Sequence, residues 1–250
     1  LTWSICVTES QLYLYEHLKS YLKSVIEDHY KIFNDKLLPC FNNIEEQADK
    51  AAEEFYNEAW EQPSEDGDLS VLAEAAEKAQ NIGIGTYEYL KWGRYNLIAT
   101  WHAMLYQLWE QQVREFLYKE LSHNYSVVFK NFCGNLKQIK LVFKMHGVDL
   151  ESKSCWKNID ELNLLNNVIK HGDGYSAETL KKKRPDLFMD VYSRGYRSDV
   201  LSTLLNESLN IDEKTLSDYT DNLMSFWDNL PERSFSSKDL RIDKNIEGIA

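Results

Sequence analysis

The chain is poor in the residues that interrupt helices. Its 250 residues include four prolines and ten glycines, few for a β-rich protein and usual for a helical one. No run of eighteen apolar residues occurs, so no segment is expected to span a membrane. The opening LTWSICVTES has no basic region followed by an apolar stretch, so no secretion signal is expected. The cysteines, Cys6, Cys40, Cys133 and Cys155, are not paired at metal-ligand spacing. A chain of this length needs no disulfide staples, which points to free thiols in a reducing cytoplasm. No two of the six histidines stand at i,i+4 beside a glutamate, so no zinc site is expected. A strand-to-helix nucleophile elbow is also missing. No metal or cofactor is therefore expected.

Excess positive charge is missing too. The net charge is -12 and the pI near 5.0, which argues against broad attraction to nucleic acid. The charge is uneven, however. Glu45 to Lys78 holds twelve acidic residues against Lys50 and Lys78, whereas Lys130 to Arg197 holds thirteen basic against eight acidic.

Against these absences stand 43% hydrophobic residues and seven tryptophans, enough for a sizeable core. Tyr15, Leu18, Leu22, Val25 and Ile26 keep helical spacing behind a Thr8 or Ser10 cap. A second helix is expected from Pro39 to Trp60, then a loop over Gln62–Asp68. A short alanine-rich helix capped by Asp68 or Ser70 follows, with a break at Asn81–Thr86. Tyr87–Leu121 carries the strongest pattern, with Leu97, Trp101, Leu105, Leu108, Val113 and Phe116 in phase. Further helices are expected over Phe129–His146, ended by Gly147, and over Leu187–Leu205 and Ile211–Leu230. The fold class that follows is all-α, an antiparallel helical bundle with an N-terminal helical extension. The expected division is residues 1–85 for the acidic extension, 86–232 for the bundle and 233–250 for a mobile polar tail.

One stretch concentrates polar chemistry. In Glu161–Gly174, ELNLLNNVIKHGDG, Leu162, Leu165 and Ile169 form an apolar stripe. Asn163, Asn167 and His171 form a polar one at i, i+4, i+8. Asparagine is costly inside a helix, so a polar face built from it has a use elsewhere. His171 could also cap its own helix, where a cation complements the dipole. A polar turn follows, then the basic run Lys181, Lys182, Lys183 and Arg184, halted by Pro185.

The segment LNNVIKHGDG, with a long helix before it and an aromatic-ended helix after it, resembles the signature of HEPN domains over roughly residues 87–232. That signature sets arginine, a polar residue, three more residues, then histidine; here it reads Asn166-Asn167-Val168-Ile169-Lys170-His171. The resemblance implies a prokaryotic toxin–antitoxin or defence protein with a metal-independent endoribonuclease activity. It also implies a homodimer with two signature helices facing across a cleft, an RNA substrate, and an antitoxin or other protein partner. Carried over by position, His171 is the acid/base or phosphate-orienting residue and Asn167 the polar one. Asn166 stands where arginine is expected, with Lys170 as a neighbouring substitute charge. The run Lys181–Arg184 is a candidate for substrate binding. Asparagine supplies neither permanent charge nor a bidentate fork to phosphate, so a catalytically inactive HEPN-like interaction module is the alternative.

Overall fold

A computed structural model describes residues 10–61, 69–188, 207–236, 238–243 and 246–249. Among them are seven α-helices and one two-stranded sheet, an all-α bundle. The helices are α1 (Glu16–Ile32), α2 (Ile44–Glu61), α3 (Leu69–Leu121), α4 (Leu136–Met145), α5 (Trp156–His171), α6 (Tyr175–Lys183) and α7 (Glu213–Asn229). No helix among the described residues is long and apolar enough to cross a membrane.

The body is assembled on the C-terminal half of α3. From Tyr95 to Leu121 this half buries Ile98, Leu105, Tyr106, Trp109, Val113, Phe116 and Leu117. Helix α7 lies against it through aromatic edges. Trp109 meets Phe226 at 5.1 Å between ring centroids, and Phe116 meets Trp227 at 6.0 Å. Such edge-to-face pairs add to the area they bury. Helix α1 runs antiparallel to α3, with His29 stacked on Trp101 and Gln112 Nε2 donating to the Leu22 carbonyl. Leu22, Ile26 and Phe33 of the α1 segment thus belong to the main core. Of the N-terminal region read as an extension, only α2 and the start of α3 stand apart.

The break expected at Asn81–Thr86 does not occur: α3 passes through it unbroken. Gly83 faces α2, where an added Cβ would lie 3.2 Å from the Ala52 Cβ. The glycine is there for close helix approach, not for a turn. The alanine-rich segment is therefore the first part of α3. Asp68 and the loop over 62–68 lie outside the described residues, as do Thr8 and most of the helix expected over 187–205.

Three further boundaries differ. Residues 129–133 form turns, and α4 begins only at Leu136, where Asn135 caps it by accepting from the Gln138 N–H. Ser10 caps no helix; its hydroxyl bonds His146 Nε2 at 3.0 Å. The His146 Nδ1 lies 2.8 Å from the Val142 carbonyl, which makes Nδ1 the donor and leaves Nε2 to accept from Ser10. Finally, the tail expected to be mobile is packed. Strand β1 (Gln11–Tyr13) pairs antiparallel with β2 (Arg233–Phe235). Beyond β2, Leu240 is fully buried and Ile246 joins the core. Apolar side chains spaced this widely give no periodic signal, yet each fills a place in the interior.

Leu240→Ala is expected to destabilise the full chain by about 2–5 kcal/mol in chemical denaturation, as for a buried leucine. A mobile tail would give no change.

Candidate functional site

Helix α5 ends where Gly172 takes φ 71° and its N–H donates to the Val168 carbonyl at 2.8 Å. Gly174, at φ 146°, opens α6. Both values suit glycine best. This turn leaves His171 and Lys170 exposed in the last turn of α5, where the Lys170 ammonium complements the helix dipole. The His171 ring makes no hydrogen bond or ion pair among the described residues, so it does not cap its own helix. Asn163 and Asn167 are half-buried on its stripe. Tyr175, the first residue of α6, is 81% exposed. No motif in the sequence points to it; the local signal is its place directly after Gly-Asp-Gly at a helix start. The exposed end of α5 thus carries an imidazole, an ammonium and an aromatic ring.

Asn166 is placed differently. It is 3% exposed, and its Oδ1 has no hydrogen-bond partner among the described residues. Five residues separate it from His171, about 140° round the helix. The two side chains therefore leave α5 in different directions, one into the body and one into solvent. Only Asn167, Lys170 and His171 of the signature reach the surface together.

The basic run is also set apart from His171. The polar turn expected after Gly174 is helix α6, which folds back along α5. Lys183 donates to Asp160, and Arg184 Nη1 donates to Glu161 Oε2 at 3.3 Å. That puts Lys183 and Arg184 beside residues about 16 Å along the α5 axis from His171. Lys182 is exposed and Lys181 half-buried on the same helix. Lys181–Lys183 also suit the last turn of α6 electrostatically.

Arg184 is the centre of a network that runs from buried Glu161 and Tyr219 out to exposed Asp186. It forks onto Asp186 through Nε and Nη2, and its Nη1 also reaches the Tyr219 hydroxyl at 3.5 Å. Glu161, with 2% of its side chain exposed, takes charge from Arg184 and from Lys157 at 3.8 Å. The fork from Asp186 is the main reason that Arg184 holds its proton more firmly than usual. Burial raises the Tyr219 phenol. A small pocket of ≈ 260 Å³ opens beside this network, walled by Asn158, Arg184 and Tyr219 with Asp218 and Asp221. Two open-water carboxylates there make it unsuited to phosphate.

Nearby, His102 is fully buried, and its Nδ1 lies 2.8 Å from the Ile98 carbonyl. Its ring meets the edge of Tyr219. Burial lowers its pKa to about 4, partly offset by the bond to Ile98 and by Asp212. It is a core histidine. Cys133 is likewise inert, its thiol pushed up to about 12 by burial. Among the described residues no group of His, Cys, Asp and Glu could hold a metal ion. Compared with family models, curated proteins and solved structures, the chain matches none.

Two outcomes follow for the interior. Arg184→Ala leaves Glu161 buried with only a distant cation and is expected to cost about 3–5 kcal/mol in denaturation, whereas Lys182→Ala is expected to be neutral. The unfolded chain protonates His102 near 6.5, while the folded chain does so only near 4. Below pH 6.5 the unfolded state binds the extra proton, so stability falls as pH drops from 6.5 towards 4, by about 3 kcal/mol. In a His102→Phe variant, urea melts across that range should show a correspondingly shallower slope.

Proposed function

We propose that the chain is a HEPN-like helical protein of a prokaryotic defence or toxin–antitoxin type, and that it binds RNA at the exposed end of α5. The observation that carries this reading is the grouping of His171, Lys170 and Tyr175 around one tight turn, all exposed. Single-stranded RNA is held by stacking on aromatic rings and by cations on its phosphates. The site offers one ring for the first, and for the second the Lys170 ammonium, with the His171 imidazole beside it as a hydrogen-bonding group. Binding is local, in keeping with a chain whose net charge is -12.

Cleavage asks for more. A 2′-hydroxyl attack on the adjacent phosphate needs one group to take the hydroxyl proton, another to protonate the leaving oxygen, and charge on the phosphorane. Within one subunit His171 can fill one of the first two roles. Asn166 is inside the body, and Lys183 and Arg184 are ion-paired elsewhere. A homodimer that sets two α5 ends face to face would supply a second His171 and a second Lys170, giving an acid, a base and two cations. The unbonded, exposed ring favours this enzymatic version as the second reading.

Both versions are tested together with a single-stranded RNA panel in the presence of a chelator. Affinity is expected to fall with salt at a slope of about −0.7 on logarithmic axes, for the one phosphate that Lys170 neutralises. Tyr175→Ala should weaken binding about tenfold, within the roughly 1–3 kcal/mol that one stacked base contributes. Cleavage by wild type that vanishes in His171→Ala would establish the nuclease. Absence of RNA binding by wild type at low salt would remove the whole reading.

A further inference from the structure

Helix α2 has two faces of opposite character. Ala48 and Ala52 face α3 at Gly83, and Phe41, in the turn before α2, meets α3 at Gly93. The opposite face carries Glu46, Asp49, Glu53, Asn57 and Trp60, all exposed. Their spacing of three and four residues sets them in one stripe about 21 Å long. Among the described residues α3 is the main element that α2 packs against, and the stripe points away from it.

Its chemistry is specific. Asp49 and Glu53 have no cationic partner among the described residues, and Glu46 is bonded only to the Asn43 amide. The one lysine on α2, Lys50, leans to Glu54 at 3.6 Å. Together with Asn43, Glu45 and Lys50, the acidic end of the stripe lines an open groove of ≈ 730 Å³, in which four carboxylates face one ammonium. The other end is aromatic. Trp60 is 61% exposed, with the Tyr56 ring 6.4 Å away. An exposed tryptophan is unfavourable in water and is the best side-chain ring for a cation.

We infer that this face of α2 is a docking surface for a basic helix of a partner protein. The partner lays lysines or arginines spaced by three and four residues along Glu46, Asp49 and Glu53, and sets a cationic stem over Trp60. Charge complementarity fixes the occupant. Two copies of the acidic face repel each other, and several of the chain's own cations, Lys23, Lys140, Lys183 and Arg184 among them, are already ion-paired. The inference stands apart from RNA binding at α5, since the two surfaces share no residue.

The test uses the full chain and an alanine-based helical peptide with lysines at i, i+3, i+7 and i+11. A second peptide of equal composition spreads the lysines round all faces. The striped peptide is expected to bind about tenfold more tightly than the spread one, and the Glu46→Lys, Asp49→Lys, Glu53→Lys combination to abolish that difference without lowering the melting temperature. Trp60→Ala, which leaves the charges in place, should weaken binding about fivefold. His171→Ala should leave it unchanged, which separates this surface from the RNA site. Equal affinity for both peptides would overturn the inference. So would binding indifferent to the charge reversal, or sedimentation showing self-association that the reversal abolishes, which would assign the face to a second copy.

Discussion

The architecture follows from the length of α3. At 53 residues it spans about 80 Å, where 30 Å already matches a small domain. No single core can enclose it. Its C-terminal half is surrounded by α1, α5 and α7, with Trp109 and Leu117 fully shielded. Its N-terminal half is covered mainly by α2 and, among the described residues, buries two alanines, Ala75 and Ala79. The composition changes with the surroundings. Tryptophan and leucine fill the enclosed half, while small residues line the exposed half where two helices meet closely. The acidic surface of the arm is the consequence of having no body behind it: what cannot be buried must be hydrated.

The chain ends close this body. Tyr13 donates its N–H to Glu120 near the end of α3, and Leu14 donates to the Glu232 carbonyl beyond α7. Arg233 lies 3.8 Å over the Tyr13 ring. The Ser10–His146 bond adds the end of α4 to the same knot. Each link joins segments more than a hundred residues apart in sequence, so forming them late in folding carries the entropy of long loops. A three-residue strand pair is marginal by itself, and it persists here because buried Leu12, Leu14 and Leu240 hold it to the core.

The helical class was legible because amphipathic spacing is repeated in every long segment. The misread places share a cause. Asn81–Thr86 contains two glycines, and glycine signals either a turn or a close approach; only the facing Ala52 decides between them. β2 is too short to show alternation. At α5, the helix stop at Gly172 and the exposure of His171 could be read from the sequence, since stop signals are local. The opposite fates of Asn166 and Asn167 could not. Adjacent residues differ by about 100° round the axis, and two identical side chains give no sign of which faces the core. The displacement of Lys181–Arg184 was hidden for a similar reason. Thirteen residues in sequence look close to His171, but α6 reverses direction and returns them to the start of α5.

The charges then divide into two kinds of work. Glu161 and Arg184 hold α5 to the end of α6 from inside, where an unpaired ion is expensive and neither partner is free to serve a ligand. Lys170 and His171 at one extreme, and Glu46, Asp49 and Glu53 at the other, sit in water, where their loss scarcely affects stability. The residues proposed for binding are thus separate from those that hold the fold. The separation also bears on the basic run, whose last two cations are paired within the fold. A conspicuous charge cluster marks function only where its charges are left unspent, and in Lys183 and Arg184 they are committed to the fold.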